Sequence, residues 1–309
     1  MKWESSSDTT RTTRLLLSNS PSIRYLLIGT LFAILWASAS AAGKIGLMSA
    51  EGLVLFNTRF LLAGAILLAY SVAVQRDRIP QGKEWLQLII FGGFNTTLYL
   101  GVFIVALDEV TAGITAIALA LNPLLIGTMT ALWTRARVST MQWISIGIGI
   151  LGIVIVSYPL LLNSSATVNG LVLMALCMVA YSFGSVYYAR VQWTLSRTAI
   201  NGWQVMIGGI LLIPFTLLLH REPNHFDTRF WLSVLWLVIP VSIGAIQLWL
   251  YLLKQDAVRA SLWLFLCPIF GLGFASVLLD EPITIYTVVG TVLVLVALML
   301  GQRYSVKKD

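Results

Sequence analysis

Residues 25–47 read YLLIGTLFAILWASASAAGKIGL, and no charged side chain interrupts them before Lys44. About 20 mostly apolar residues are what an α-helix needs to cross the hydrocarbon core of a bilayer. The stretch is apolar around its whole circumference, whereas a barrel strand would alternate polar and apolar positions. It predicts a membrane-spanning helix, and nine further stretches carry the same signature. The ten predicted spans are Tyr25–Leu47, Leu53–Val74, Trp85–Leu107, Thr111–Trp133, Met141–Leu160, Gly170–Val191, Ala199–Leu219, Phe230–Leu253, Ala257–Leu279 and Ile285–Leu300. Short loops join them, so neighbouring helices run antiparallel and the fold class is all-α and polytopic.

Composition agrees. Of 309 residues, 58% are hydrophobic and 11% charged, against about 25% charged in a soluble domain. Mean hydropathy is +0.86. This excludes a soluble enzyme, a secreted disulfide scaffold and a disordered chain. Cys177 and Cys267 both fall within apolar runs and read as small buried hydrophobes. The net charge of +7 would suggest a nucleic-acid partner in a soluble protein. Here its placement suggests orientation instead.

Lys2, Arg11, Arg14 and Arg24 precede the first span. Alternate loops add Arg76, Arg78, Lys83, Arg135, Arg137, Arg190, Arg197, Lys254 and Arg259, and the C-terminal tail adds Arg303, Lys307 and Lys308. Those 16 cations share one side; Lys44, Arg221 and Arg229 face the other, and Arg59 lies inside the second span. Cytoplasmic loops are enriched in Lys and Arg, so both termini are expected in the cytoplasm. Residues 1–23, rich in Ser, Thr and Arg, read as a disordered cytoplasmic tail.

The spans fall into two sets of five, residues 24–160 and 169–305, related by an offset of 145. Pro123 then corresponds to Pro268, Gly64 to Gly209, Ala112 to Ala257 and Trp36 to Tyr181. Because five is odd, the second set enters the membrane from the opposite face. Inverted repeats of this kind surround a midplane substrate site in many secondary transporters.

Several motifs carry a family resemblance: LFAILWASASAAGK with Trp36 and Lys44, NTRFLLAGAILL with Arg59, TAGITAIALALNPLL running to Pro123, and AVRASLWLFLCPIFGLGFASVLLDEPIT with Pro268 and Glu281. Over residues 24–301 the chain resembles the EamA-type members of the drug/metabolite transporter superfamily, and within it bacterial exporters of aromatic amino acids. The resemblance implies a ten-helix basket with spans 1, 3, 4, 6, 8 and 9 around a central cavity and spans 5 and 10 outside. The family's acidic residue after the proline helix matches Glu281, while Ala136 stands at the first-half position. Small multidrug antiporters of the superfamily couple to protons through a membrane-embedded Glu, and no carboxylate here lies near a span centre. Asp108, Glu109, Asp256, Asp280, Glu281 and Glu51 are all at span ends.

Polar groups in hydrocarbon are costly and mark candidate sites. Arg59 is a candidate gate or carboxylate contact; the structural alternative is that it caps helix carbonyls. The expected cavity lining is Trp36 and Ser40 in the first span, Asn95 and Tyr99 in the third, Asn122 in the fourth, Tyr181 and Ser185 in the sixth, Gln247 in the eighth and Trp263 in the ninth. Such a lining suits a neutral or zwitterionic ligand with an apolar ring. Pro123 and Pro268 are candidate hinges, each removing a backbone donor. Gly147, Gly149 and Gly152 permit close helix approach, and with it a weak homodimer as an alternative to a monomer. Trp85, Trp133, Trp143 and Trp231 fit an interfacial belt.

These features predict a secondary transporter in the bacterial inner membrane, exporting aromatic or other hydrophobic amino acids by alternating access. Its partners are a small-molecule substrate and the lipid bilayer, with no nucleic acid, metal or cofactor. His220 and His225 have no ligand set around them, and the Asn163 sequon reads as incidental. The alternatives are a proton-coupled exporter of drugs or other metabolites and a non-transporting receptor or subunit. A membrane enzyme would need convergent reactive groups, and none stands at reactive spacing.

Overall fold

A computed structural model describes residues 23–107, 109–110, 112–135, 138–162, 166–279 and 284–303. Glu281, Ala136, the Asn163 sequon and both chain tails lie outside the described residues. Ten helices among the described residues are long and apolar enough to span a bilayer. They are α1 (Ile23–Gly46), α2 (Gly52–Ala73), α3 (Lys83–Leu107), α4 (Ala112–Ala120 and Asn122–Thr134), α5 (Thr140–Leu161), α6 (Val168–Arg190), α7 (Arg197–Leu218), α8 (Thr228–Gln255), α9 (Ala257–Ser261, a 3-10 turn Leu262–Phe265, then Leu266–Leu279) and α10 (Ile285–Arg303). The only β pairing among the described residues is an isolated bridge between Val110 and Ala166.

Polar side chains start several of these helices by accepting from the first free backbone N–H groups. Ser139 and Gln142 form a reciprocal capping box at α5. Thr167, Ser196, Asp227 and Asp256 cap α6, α7, α8 and α9. All five starts in the second half, at residues 168, 197, 228, 257 and 285, follow their first-half counterparts by 145. The packing has the same correspondence. α1 lies on α8 and α9, as α6 lies on α3 and α4, while α2 pairs with α7 and α5 with α10.

Three helices depart from regular α geometry. α3 and α8 each widen into a π-helical stretch, Gly93–Gly101 and Leu237–Ala245, at matching positions. Nothing in the hydropathy pattern announces these. α4 breaks at Leu121, directly before the Asn122-Pro123 start of its second piece, and Pro268 follows the 3-10 turn of α9. Both prolines therefore stand in the first turn after an interruption, where a missing N–H costs least.

Glycines set the closest helix approaches. An added Cβ at Gly152 would meet the Gly290 carbonyl oxygen of α10 at 2.9 Å, and one at Gly149 the Phe265 ring at 2.4 Å. Two of the three α5 glycines are thus spent inside the chain rather than on a second copy; only Gly147 of the three has nothing within 4 Å of that position.

Candidate functional site

Ten antiparallel crossings put the start of α1 and the end of α10 on one face of the bundle, called here the terminal face; the other is the distal face. The halves of the bundle toward these faces are packed differently. Near the terminal face α9 is buried from Ala257 to Leu266 except at Arg259, and α6 is buried from Ala180 to Tyr188 except at Phe183. Toward the distal face Cys267 to Phe274 are half-buried apart from the exposed Gly273. Ile114 to Leu119 of α4 are half-buried apart from Thr115. The distal parts of α4 and α9 are thus packed more loosely than the terminal parts of α6 and α9.

Aromatic side chains close the terminal end. Trp193, in the α6–α7 connection, packs on Phe91, Tyr187 and Tyr188, and its indole donates to the Tyr188 carbonyl at 2.9 Å. Lys254 donates to the Val191 carbonyl at 2.7 Å, with its ammonium 5.2 Å from the centre of the Tyr188 ring.

A column of rings crosses the middle of the bundle. Trp36 and Phe32 of α1 are 6.0 Å apart; Phe32 stacks on Trp249 of α8 at 4.9 Å. Trp249 lies nearly parallel to Tyr181 of α6 at 6.0 Å, and Tyr181 meets Tyr99 of α3 at 4.5 Å. Phe103 ends the column, 6.0 Å from Tyr99. Four helices from both halves thus contribute to one column, buried at Phe32, Trp249, Tyr181 and Tyr99, and three of its rings, Trp36, Tyr99 and Tyr181, are among the residues singled out from the sequence.

Beside this column runs a buried polar network. The Arg59 Nε donates to the Ser242 hydroxyl at 2.7 Å, in the π stretch of α8. The Ser242 carbonyl accepts from Asn201 at 2.9 Å, and the Asn201 side-chain oxygen accepts from Gln204 at 3.2 Å. Gln204 Oε1 in turn accepts from Thr96 at 2.8 Å and Asn95 at 3.2 Å, in the π stretch of α3. Arg59 and Gln204 occupy corresponding positions, and each binds the π stretch of the opposite half. Arg59 thus reaches a hydroxyl rather than the helix carbonyls of the structural alternative. Its guanidinium lies 5.4 Å from the Phe56 and Phe60 ring centres, and its Nη2 is buried with no hydrogen-bond partner.

The remaining expected lining residues are placed as follows. Asn122 donates to Met178 Sδ at 3.2 Å and accepts from Ser182 at 3.1 Å, tying α4 to α6. Ser185 is buried and donates to the Tyr181 carbonyl of its own helix, while Ser40 is exposed and donates to Ala37. Gln247 is half-buried with an unpartnered Nε2. Trp263 stands apart from the column, against Tyr25 at 6.3 Å and over Gly29, where a Cβ would sit 2.0 Å from the indole. The sequence reading did not single out Phe32, Trp249, Phe103, Asn201 or Ser242. Spacing offered no signal for Trp249, because the π stretch that holds Ser242 breaks the regular helical period ahead of it.

On the distal face the Glu51 carboxylate holds the α7–α8 connection. It pairs with His220 Nδ1 at 2.6 Å and accepts from the Arg221 and Glu222 N–H groups at 2.8 and 3.0 Å. The His220 contact, ahead of those N–H groups, holds its pKa below the usual carboxylate range. On the terminal face Ser196, which corresponds to Glu51, donates to Asp77 of the α2–α3 connection.

With this arrangement in view, comparison with known proteins defines its class. The EamA-like transporter family matches the chain twice, over residues 23–158 and 168–301, and the chain belongs to that family. It is a multi-pass membrane protein, and members of this family are transporters. The chain is similar to an uncharacterized transporter of Archaeoglobus fulgidus, 25% identical over 280 residues that cover 89% of this chain and 96% of the relative. It is also similar to the uncharacterized inner membrane transporter YedA of Escherichia coli K12, 27% identical over 74% of each chain. Protein PecM of Dickeya dadantii is 26% identical over 80% of this chain and 82% of its own. A solved crystal structure shares the fold, with a TM-score of 0.74 at 20% identity, covering 90% of this chain and 96% of that one.

Proposed function

We propose that the protein exports amino acids with aromatic or other hydrophobic side chains across the bacterial inner membrane, by alternating access of two inverted five-helix halves. The observation that carries this reading is the ring column from Trp36 to Phe103, assembled from α1, α8, α6 and α3 and flanked by the uncharged amides of Asn95, Gln204 and Asn122. Rings bind rings by stacking and edge contacts, and amides orient a polar end without demanding a net charge. The reciprocal packing of the two halves supports the inverted repeat, and the 16-to-3 distribution of cations supports cytoplasmic termini. In that orientation the aromatic cluster around Trp193 lies at the cytoplasmic end and the loosely packed distal parts of α4 and α9 lie toward the periplasm.

The mechanism needs no buried proton carrier. No described carboxylate lies in the middle of a span, so substrate moves down its own gradient as the two mouths open in turn, with the breaks at Pro123 and Pro268 as hinges. The test is counterflow of radiolabelled phenylalanine, tryptophan and threonine in proteoliposomes. Saturable exchange of the aromatic pair, faster than threonine, is the expected result. Absence of exchange for all three would remove the reading, and chemical alteration of the substrate would replace it with an enzyme.

A further inference from the structure

Resting on that reading, we infer that the group recognised on the cargo is its carboxylate, held by Arg59, and that its amine is dispensable. The carrier would then accept apolar carboxylates that lack an amino group and reject the amine of the same ring.

The argument starts from charge. Arg59 is 1% exposed, and no described carboxylate forms an ion pair with it. Removing a guanidinium from water without a counter-ion is among the costliest arrangements a folded chain can hold. Its Nε is engaged by Ser242, two rings flank it, and its Nη2 donor has no acceptor. A carboxylate oxygen is the ligand group that matches an unpaired guanidinium donor in both charge and geometry.

A second donor stands further along α8. Trp249 is 2% exposed, and its indole Nε1 is also without a partner. Ser242 and Trp249 are seven residues apart, about 10 Å of helix rise. The polar network from Arg59 through Ser242, Asn201 and Gln204 reaches Asn95, four residues before Tyr99, and Tyr99 meets Tyr181, which stacks on Trp249. That separation matches the span from a carboxylate to an aryl ring, and the buried donors would meet such a ligand when the two halves part during transport. A ligand ammonium would find the opposite environment: a buried cation, unsatisfied donors, and no anionic acceptor among the described residues of this network.

The test compares three compounds with one ring. Phenylalanine, 3-phenylpropionate (no amine) and 2-phenylethylamine (no carboxylate) compete against labelled phenylalanine in counterflow at neutral pH. Phenylpropionate should compete within about tenfold of phenylalanine, while phenylethylamine should be weaker by about 10- to 100-fold, the worth of one hydrogen bond to a charged group. Equal competition by the amine, or failure of phenylpropionate, would overturn the inference while leaving aromatic transport intact. If phenylalanine shows no counterflow, the transport reading fails by itself, and equilibrium binding of the same three compounds to solubilised protein still decides the carboxylate claim. Arg59→Gln places at this position the residue that its counterpart, Gln204, already carries, and should lower the acid-to-amine ratio at least about tenfold. Arg59→Lys, which keeps the charge, separates loss of recognition from misfolding: it should retain preference for the acid over the amine. An unchanged ratio in Arg59→Gln, or a lost preference in a folded Arg59→Lys, would count against the site.

Discussion

Gly92 and Gly93 are neighbours in the sequence with opposite surroundings, and replacing each with alanine tests how α3 is held on α7. A Cβ at Gly92 would fall 2.6 Å from the Gln204 carbonyl oxygen, where ordinary contact begins at about 3.4 Å. That oxygen belongs to helix backbone and cannot swing aside, so the helices must part by about 0.8 Å. The same separation would stretch the Thr96 and Asn95 hydrogen bonds to Gln204 from 2.8 and 3.2 Å to about 3.6 and 4.0 Å, beyond useful range. Overpacking costs about 1–3 kcal/mol and each lost bond about 1 kcal/mol, against about 0.5–1 kcal/mol gained by replacing a helical glycine. Gly92→Ala should therefore lose about 2–4 kcal/mol, a sum of those terms. A Cβ at Gly93 meets nothing within 4 Å, so Gly93→Ala should be neutral or slightly stabilising. Unfolding by SDS in mixed micelles, followed by tryptophan fluorescence, gives both values. Equal stability of the two variants would refute the close approach of α3 and α7 and the network built on it.

Tyr181→Ala removes a ring that contacts both Tyr99 and Trp249 and should reduce phenylalanine counterflow more than Trp36→Ala, which trims the end of the column; Tyr181→Phe should retain most of the flux. Full flux in Tyr181→Ala with normal membrane insertion would dismiss the column as the binding surface. A protonophore should leave counterflow unchanged, and its abolition would restore proton coupling. The lowered pKa of Glu51 means that its hold on the α7–α8 connection is complete above the ordinary carboxylate range and is lost as pH falls through the lower folded value. Amide exchange across residues 219–227, corrected for intrinsic rates, should thus stay flat from pH 7 to about 5. Glu51→Gln should already exchange faster at pH 7, and identical protection in the variant would show that the carboxylate is not the latch.

Much of the architecture could be read from the chain. Hydropathy alone locates ten spans because the bilayer imposes one length and one polarity on every crossing. Thr167, Ser196 and Asp227 are local start signals for α6, α7 and α8, whereas Glu51 and Gly82 at the corresponding first-half positions make no side-chain cap, so the offset of 145 reflects matched span and loop lengths. The candidate site was only half legible. Trp36, Tyr99 and Tyr181 stood out as aromatic groups at span centres, but in a chain with 11 Trp, 10 Tyr and 13 Phe the same criterion also selected Trp263, which packs on Tyr25 instead. Phe32 and Trp249 gave no such signal, because a ring in an apolar run looks like any other core residue until its neighbours are known.

The sequence by itself determined that this chain crosses a membrane ten times, in two matched sets, with its cations gathered on one side. These properties follow from one-dimensional physics: the thickness of the hydrocarbon, the cost of charge within it, and the requirement that each backbone be satisfied inside its own helix. Only the tertiary structure decided that α3 and α8 widen into π stretches, that Arg59 ends on Ser242 with one donor unpaired, and that rings from four helices form a single column. Without a hydrophobic drive between helices in lipid, their mutual placement rests on close contacts and hydrogen bonds between residues from about 40 to more than 180 positions apart, and no local pattern encodes those pairings.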